Sequence, residues 1–102
     1  VDGVLERVDI EVAGRADVII ADVPEEVIHE TGDMIAARKA GVAFEHKIVS
    51  LGDVVRGTRV VRQGRDNIVL FKSVGSGLQD IAVSEMCHAK ARAAGAGVVL
   101  PV

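Results

Sequence analysis

The chain has 102 residues, enough for one modest domain, and 49% of them are apolar, yet its only aromatics are two Phe, which nearly excludes base stacking on aromatic platforms. No apolar run reaches the length of a membrane span, no charged segment leads into an apolar one, and a single Cys87 excludes an internal disulfide; the expectation is a cytoplasmic, soluble protein without signal peptide or membrane contact. The net charge of −3 is uneven, with −8 over residues 1–33 and +5 over residues 34–102. Because the acids are spread through amphipathic stretches, this asymmetry reads as two faces of one fold or of a dimer, not as a nucleic-acid tail.

In chain order, residues 1–14 are acidic and mixed, with Gly3 as an early breaker. Ala16 to Ala21 is an apolar run bounded by Asp17 and Asp22. Its Val and Ile content without alternation predicts a strand buried on both faces, as in a parallel sheet. Pro24 suits a helix's first turn, with Glu25 and Glu26 at the positive end of its dipole. Val27, Ile28, Met34 and Ile35 supply its apolar stripe, and Gly32 weakens it midway. Ile48 to Leu51 predicts a second short strand, and Asp53 to Arg56 a helical turn closed by Gly57. Residues 57–67 form a polar loop or hairpin. Ile68 to Phe71 predicts another strand, and Gln79 to Ala94 the clearest helix, with Leu78, Ala82, Met86, Ala89 and Ala93 at three- and four-residue steps and Gly95 ending it. The tail, residues 97–102, is apolar and needs a surface to pack on. Strands alternating with helices give an α/β class: a partial Rossmann-like layer of short, mostly parallel strands with helices, ending in a long C-terminal helix, all within a single domain of residues 1–102.

The segment between the last strand and the last helix raises the functional question. Lys72-Ser-Val-Gly-Ser-Gly77 joins strand to helix through small residues, as phosphate and nucleotide pockets do. Ser76 followed by Gln79 is also a capping box, which alone accounts for the turn. The dinucleotide spacing fails, because Gly75-x-Gly77 needs a third Gly where Asp80 stands, and there is no P-loop. Arg56, Arg59, Arg62 and Arg65 recur every third residue, but without aromatics nearby they read as a solvated loop. His29, His46 and His88 are far apart, so no metal site is expected, and Cys87 and His88 point in different directions on a helix. By residue type alone, Asp9 and Glu11 are ordinary surface acids.

The run Asn67-Ile-Val-Leu-Phe-Lys-Ser-Val-Gly75, followed by Leu78-Gln-Asp-Ile-Ala82, resembles the C-terminal signature of the ornithine cyclodeaminase/mu-crystallin family. Arg15-Ala-Asp-Val-Ile-Ile-Ala-Asp22, Glu30-Thr-Gly-Asp33 and Leu51-Gly-Asp-Val-Val-Arg-Gly57 match further family segments in the same order. The resemblance covers essentially all 102 residues but only the last third of a family member. It implies kinship with NAD- or NADP-dependent enzymes acting on small amino or imino acids. By position it implies that Lys72, Ser73, Val74 and Gly75 border the nicotinamide end of the cofactor, and that Asp9, or failing it Glu11, is the acidic catalytic residue. Ile10 stands where many members have Pro, and Ser76-Gly77 replace the usual Leu-Ala.

The substrate segment and the glycine fingerprint of the family are missing from this stretch. The expectation is therefore a truncated fragment, inactive alone, that binds neither NAD nor NADP by itself; the alternative is a stand-alone, non-catalytic binding or self-association module. On either reading the chain is expected to form a homodimer or higher oligomer, because a parallel sheet cut from a larger layer leaves apolar faces and strand edges to cover.

Overall fold

A computed structural model describes residues 9–102, so Gly3 and the rest of the first eight residues lie outside the described part. Asp9 caps a short helix, α1 (Ile10–Arg15), by accepting a hydrogen bond from the Glu11 amide at 2.8 Å. Asp at an N-cap satisfies an amide that has no partner within the helix. The sequence pattern had shown no helix here, because a six-residue helix holds too few turns for a visible period. Lys47 holds the other end of α1, its ammonium donating to the Ala13 and Gly14 carbonyls at 3.3 and 2.7 Å.

The first strand, β1 (Val18–Ala21), is followed by α2 (Pro24–Glu30) and α3 (Gly32–Lys39). The weak point expected at Gly32 is a full break. Thr31 is extended, with φ −91° and ψ 135°, and its hydroxyl donates back to the Val27 carbonyl at 2.7 Å. A 3-10 turn (Glu45–Lys47) leads into β2 (Ile48–Ser50), then α4 (Leu51–Val55). Residues 57–68 form an irregular loop and not a hairpin. The last two elements are β3 (Val69–Lys72) and α5 (Gly77–Ala94), which ends on Gly95 in the left-handed conformation at φ 66°.

The three strands form one parallel sheet in the order β2-β1-β3. Two aspartates bracketing β1 fasten β3 at both ends. Asp17 accepts from the Ile68 amide at 2.8 Å where β3 begins, and Asp22 binds the residues just after β3. The register places Ile19 and Ala21 of β1 on one face with Ile48 of β2 and with Leu70 and Lys72 of β3. Ile19 and Ala21 are fully buried against Ala13, Ala16, Val27, Met34, Ala37 and Phe44 from the helices.

The opposite face carries Val18, Ile20, Val49, Val69 and Phe71, and of these only Val49 is buried. The expectation of β1 buried on both faces therefore holds for one face only within this chain; residues along β1 alternate between half-buried and buried. A run of Val and Ile records the need for two covers and not their source. The same holds for α5, whose 18 residues include none that is buried; Leu78 and Met86 on its expected apolar stripe remain 77% and 49% exposed.

Candidate functional site

Ligands of open α/β sheets gather at the carboxyl ends of the strands. In this chain the carboxyl ends of β1 and β3 are adjacent, and the polar cluster of the molecule lies there. Two carboxylates organise it. Asp33, in the first turn of α3, is 2% exposed and forms an ion pair with Lys72, the last residue of β3, itself 8% exposed. A buried charge requires a partner of opposite sign, so this contact fixes which way the end of β3 turns.

Asp22, directly after β1, binds the turn that follows β3. It accepts from the Ser73 hydroxyl at 2.6 Å, the Gly75 amide at 3.0 Å, the Val74 amide at 3.2 Å and the Gln79 side-chain amide at 3.4 Å, and from the Val23 amide at 2.9 Å. Partial burial acts to raise the Asp22 pKa, but the bonds from the Ser73 hydroxyl and the Val74, Val23 and Gly75 amides outweigh it and hold the carboxyl below its ordinary value. Gly75 has φ 81°, a conformation any side chain would strain, and it turns the chain from the end of β3 toward the start of α5.

Ser76 caps α5 as the spacing predicts, accepting from the Gln79 amide at 3.3 Å. The second half of the capping box is replaced: the Gln79 side chain donates to Asp22. Lys72, Ser73, Val74 and Gly75 thus come together as one turn, with Ser73, Val74 and Gly75 exposed. Asp9 stands apart from it; among the described residues no hydrogen bond joins Asp9 to the turn, and its carboxylate binds the Glu11 amide. The regular arginines do not converge: Arg56 pairs with Asp53, and Arg62 donates to the Asn67 carbonyl at 3.0 Å. Asp22 and Asp33 are the residues that reading the sequence left without a role. The available signal was an acid closing a buried strand one residue before a helix start, with a donor-rich turn elsewhere in the chain.

A parallel sheet with helices and a polar turn at its carboxyl edge defines a Rossmann-like α/β protein. Within that class, the chain belongs to the ornithine cyclodeaminase/mu-crystallin family, whose model matches residues 5–95. It is similar to the Delta(1)-pyrroline-2-carboxylate reductase of Bacillus thuringiensis subsp. konkukian, at 31% identity over 83 residues, covering 80% of this chain and 26% of that protein. It is also similar to the alanine dehydrogenase of Archaeoglobus fulgidus, at 26% identity over 84% of this chain and 26% of the relative. Among solved structures it superposes on the Thermococcus litoralis Delta(1)-pyrroline-2-carboxylate reductase in complex with NADH and L-proline, with a TM-score of 0.79 and 32% identity over 91% of this chain and 29% of that one. The probable ornithine cyclodeaminase of Bordetella pertussis Tohama I gives a TM-score of 0.72 at 31% identity. The chain therefore spans between 26% and 30% of the length of these relatives.

Proposed function

We propose that this chain is the carboxyl-terminal part of an NAD(P)-dependent enzyme acting on a small amino or imino acid, and that it is inactive alone. The observation that carries the reading is the Asp22-anchored turn at the carboxyl edge of β1 and β3. Its resemblance to a reductase whose structure holds NADH and L-proline supports a place for the turn beside the nicotinamide. In that role Lys72, held on Asp33, orients the end of β3, while Ser73, Val74 and Gly75 form the rim against which the ring lies. The turn fits a neutral group better than a pyrophosphate, because its donors already serve Asp22. The cofactor, when bound, supplies or takes up a hydride. Asp9 is the residue assigned to proton transfer with the substrate, from its position in the family pattern; at the start of α1 it is exposed and able to exchange protons with a ligand.

The test is complementation. The chain is co-expressed with the amino-terminal portion of the Bacillus thuringiensis reductase that it does not cover, and NADH consumption with Delta(1)-pyrroline-2-carboxylate is followed. Activity from the pair, and none from either part, is expected; an Asp9→Asn chain in the same pair is expected to lose it. Calorimetry on the chain alone should detect no NADH or NADPH binding at sub-millimolar concentration. A pair that assembles without turnover sinks the reading.

One observation favours a second reading, a self-association module: Phe71 on the sheet and Leu78, Ile81 and Met86 on α5 are large apolar side chains left exposed. On that reading the chain assembles with copies of itself and has no turnover in any pairing.

A further inference from the structure

Asp9, to which proton transfer is assigned, stands at the tip of a helix of only six residues, α1. Isolated helices shorter than about 12 residues are marginal in water, so α1 depends on tertiary contacts. Its apolar hold is small: Ala13 is its one buried residue, and Ile10, one turn earlier, is half-buried against the core. The stronger hold is polar and acts at the far end. The Lys47 ammonium donates to the Ala13 and Gly14 carbonyls at 3.3 and 2.7 Å. These are last-turn acceptors of the kind a helix leaves without internal partners, and the helix dipole favours a cation beside them. Lys47 is itself firmly placed. Its amide donates at 2.9 Å to the carbonyl of Phe44, a core residue 2% exposed, and the residue after Lys47 opens β2.

The carboxyl end of α1 is thus fastened to the start of β2, while its amino end carries Asp9. There the Asp9 carboxylate accepts from the Glu11 amide at 2.8 Å and its carbonyl from the Val12 amide at 3.0 Å. A helix of this length spans about 9 Å, so a tilt of about 10° at the clamped end carries Asp9 roughly 1.5 Å. A misplacement of about 1 Å in a reacting geometry costs on the order of a hundredfold in rate. We infer that Lys47 is a positioning residue for Asp9: it fixes the angle of α1 from the opposite end of the helix and touches no substrate. The inference rests on the reading that Asp9 exchanges a proton with the substrate, and goes beyond it by naming the group that holds Asp9 in place.

The test makes two measurements on Lys47→Met and Lys47→Arg. The first is amide NMR with hydrogen exchange on the nitrogen-labelled full chain. In Lys47→Met the Glu11 and Val12 amides, both bonded to Asp9, should shift and exchange about tenfold faster, roughly the worth of one hydrogen bond to a charged group, with the amides of β1 unchanged. The second is steady-state kinetics of the complemented pair. Lys47→Met should lower kcat about tenfold with KM for the imino acid within about twofold, the mark of an interaction that acts on the reacting geometry and not on binding. Lys47→Arg, which keeps a cation with several donors, should restore both readouts. Should Lys47→Met fail to fold, Lys47→Gln takes its place and should show the same losses to a smaller degree. Glu11 and Val12 amides indifferent to the loss of the ammonium, or amides that loosen while kcat stays native, overturn the inference. The two readings fail separately. A native pair without turnover sinks the proposed function, and the amides then decide whether Lys47 holds Asp9; an active pair whose kcat ignores Lys47→Met sinks only this inference.

Discussion

At the scale of single residues, the chemistry of this chain is set by two aspartates that tie distant segments together. Asp22 contributes stability because its hydrogen bonds hold the folded-state pKa below the ordinary carboxylate value. The sign follows from linkage: the contribution is fully present above the unfolded value and is lost as pH falls through the folded one. Urea denaturation of the native chain and of Asp22→Asn should differ near neutral pH and converge below about pH 4, where the unfolded chain's carboxylates take up protons. A gap that stays constant into acid would mean that the carboxylate's charge has no part in the turn. The Lys72–Asp33 pair behaves differently, because both groups are buried. Lys72→Met removes the cationic partner of a buried carboxylate and should cost roughly 3–5 kcal/mol, while Lys72→Met combined with Asp33→Leu should recover most of that loss. Equal losses in the single and double variants, measured by urea unfolding, would contradict the pairing.

At the scale of elements, local signals and the fold agree wherever a side chain acts on its own neighbourhood. Ser76 caps α5, Gly95 ends it, Pro24 opens α2, and Gly57, at φ 76°, closes the turn after α4. Ser76→Ala should cost about 1 kcal/mol in melting experiments, the usual worth of an N-cap. An unchanged melting temperature would leave the Asp22–Gln79 contact as what holds the helix start. Where the outcome depends on a distant partner, local signals fall short. Gln79 is spaced to complete a capping box, yet Asp22, 57 residues away in sequence, takes its amide. Arg56, Arg59, Arg62 and Arg65 have a period but, among the described residues, no common target.

The molecule as a whole is unfinished within this chain. Its radius of gyration is 17.9 Å, against about 13 Å for a compact chain of this length, because α5 and the tail project from the sheet. Val98, Val99 and Leu100 are 87%, 93% and 73% exposed, and Phe71 on the second face of the sheet is 53% exposed. Apolar surface on this scale seeks cover. The isolated chain is expected to form a homodimer or higher oligomer burying more than about 1,000 Å², which sedimentation equilibrium at micromolar concentration measures. A stable monomer there would mean that α5 folds back onto the open sheet face, and Met86→Glu on α5 would then destabilise the chain instead of dissociating it.

The amino-acid sequence by itself determined the α/β class, the three strands, the long last helix with its caps, and the family, because each of these rests on residues close in sequence or on a motif such as Phe71-Lys-Ser-Val-Gly75. It also showed that the apolar runs of β1 and β3 and the apolar tail are built to be covered. The tertiary structure decided what those apolar surfaces meet: one face of the sheet packs on α1, α2 and α3, whereas on the other, among the described residues, Val49 is buried and Phe71 is left exposed. It decided, too, the polarity of the site. A lysine, a serine and two glycine-flanked amides are donors in any sequence. Only the register that brings the ends of β1 and β3 together, and the packing of α3 beneath them, delivers Asp22 and Asp33 to take up those donors. Hydrogen-bond capacity is local to a residue, but which partner uses it is settled by the fold.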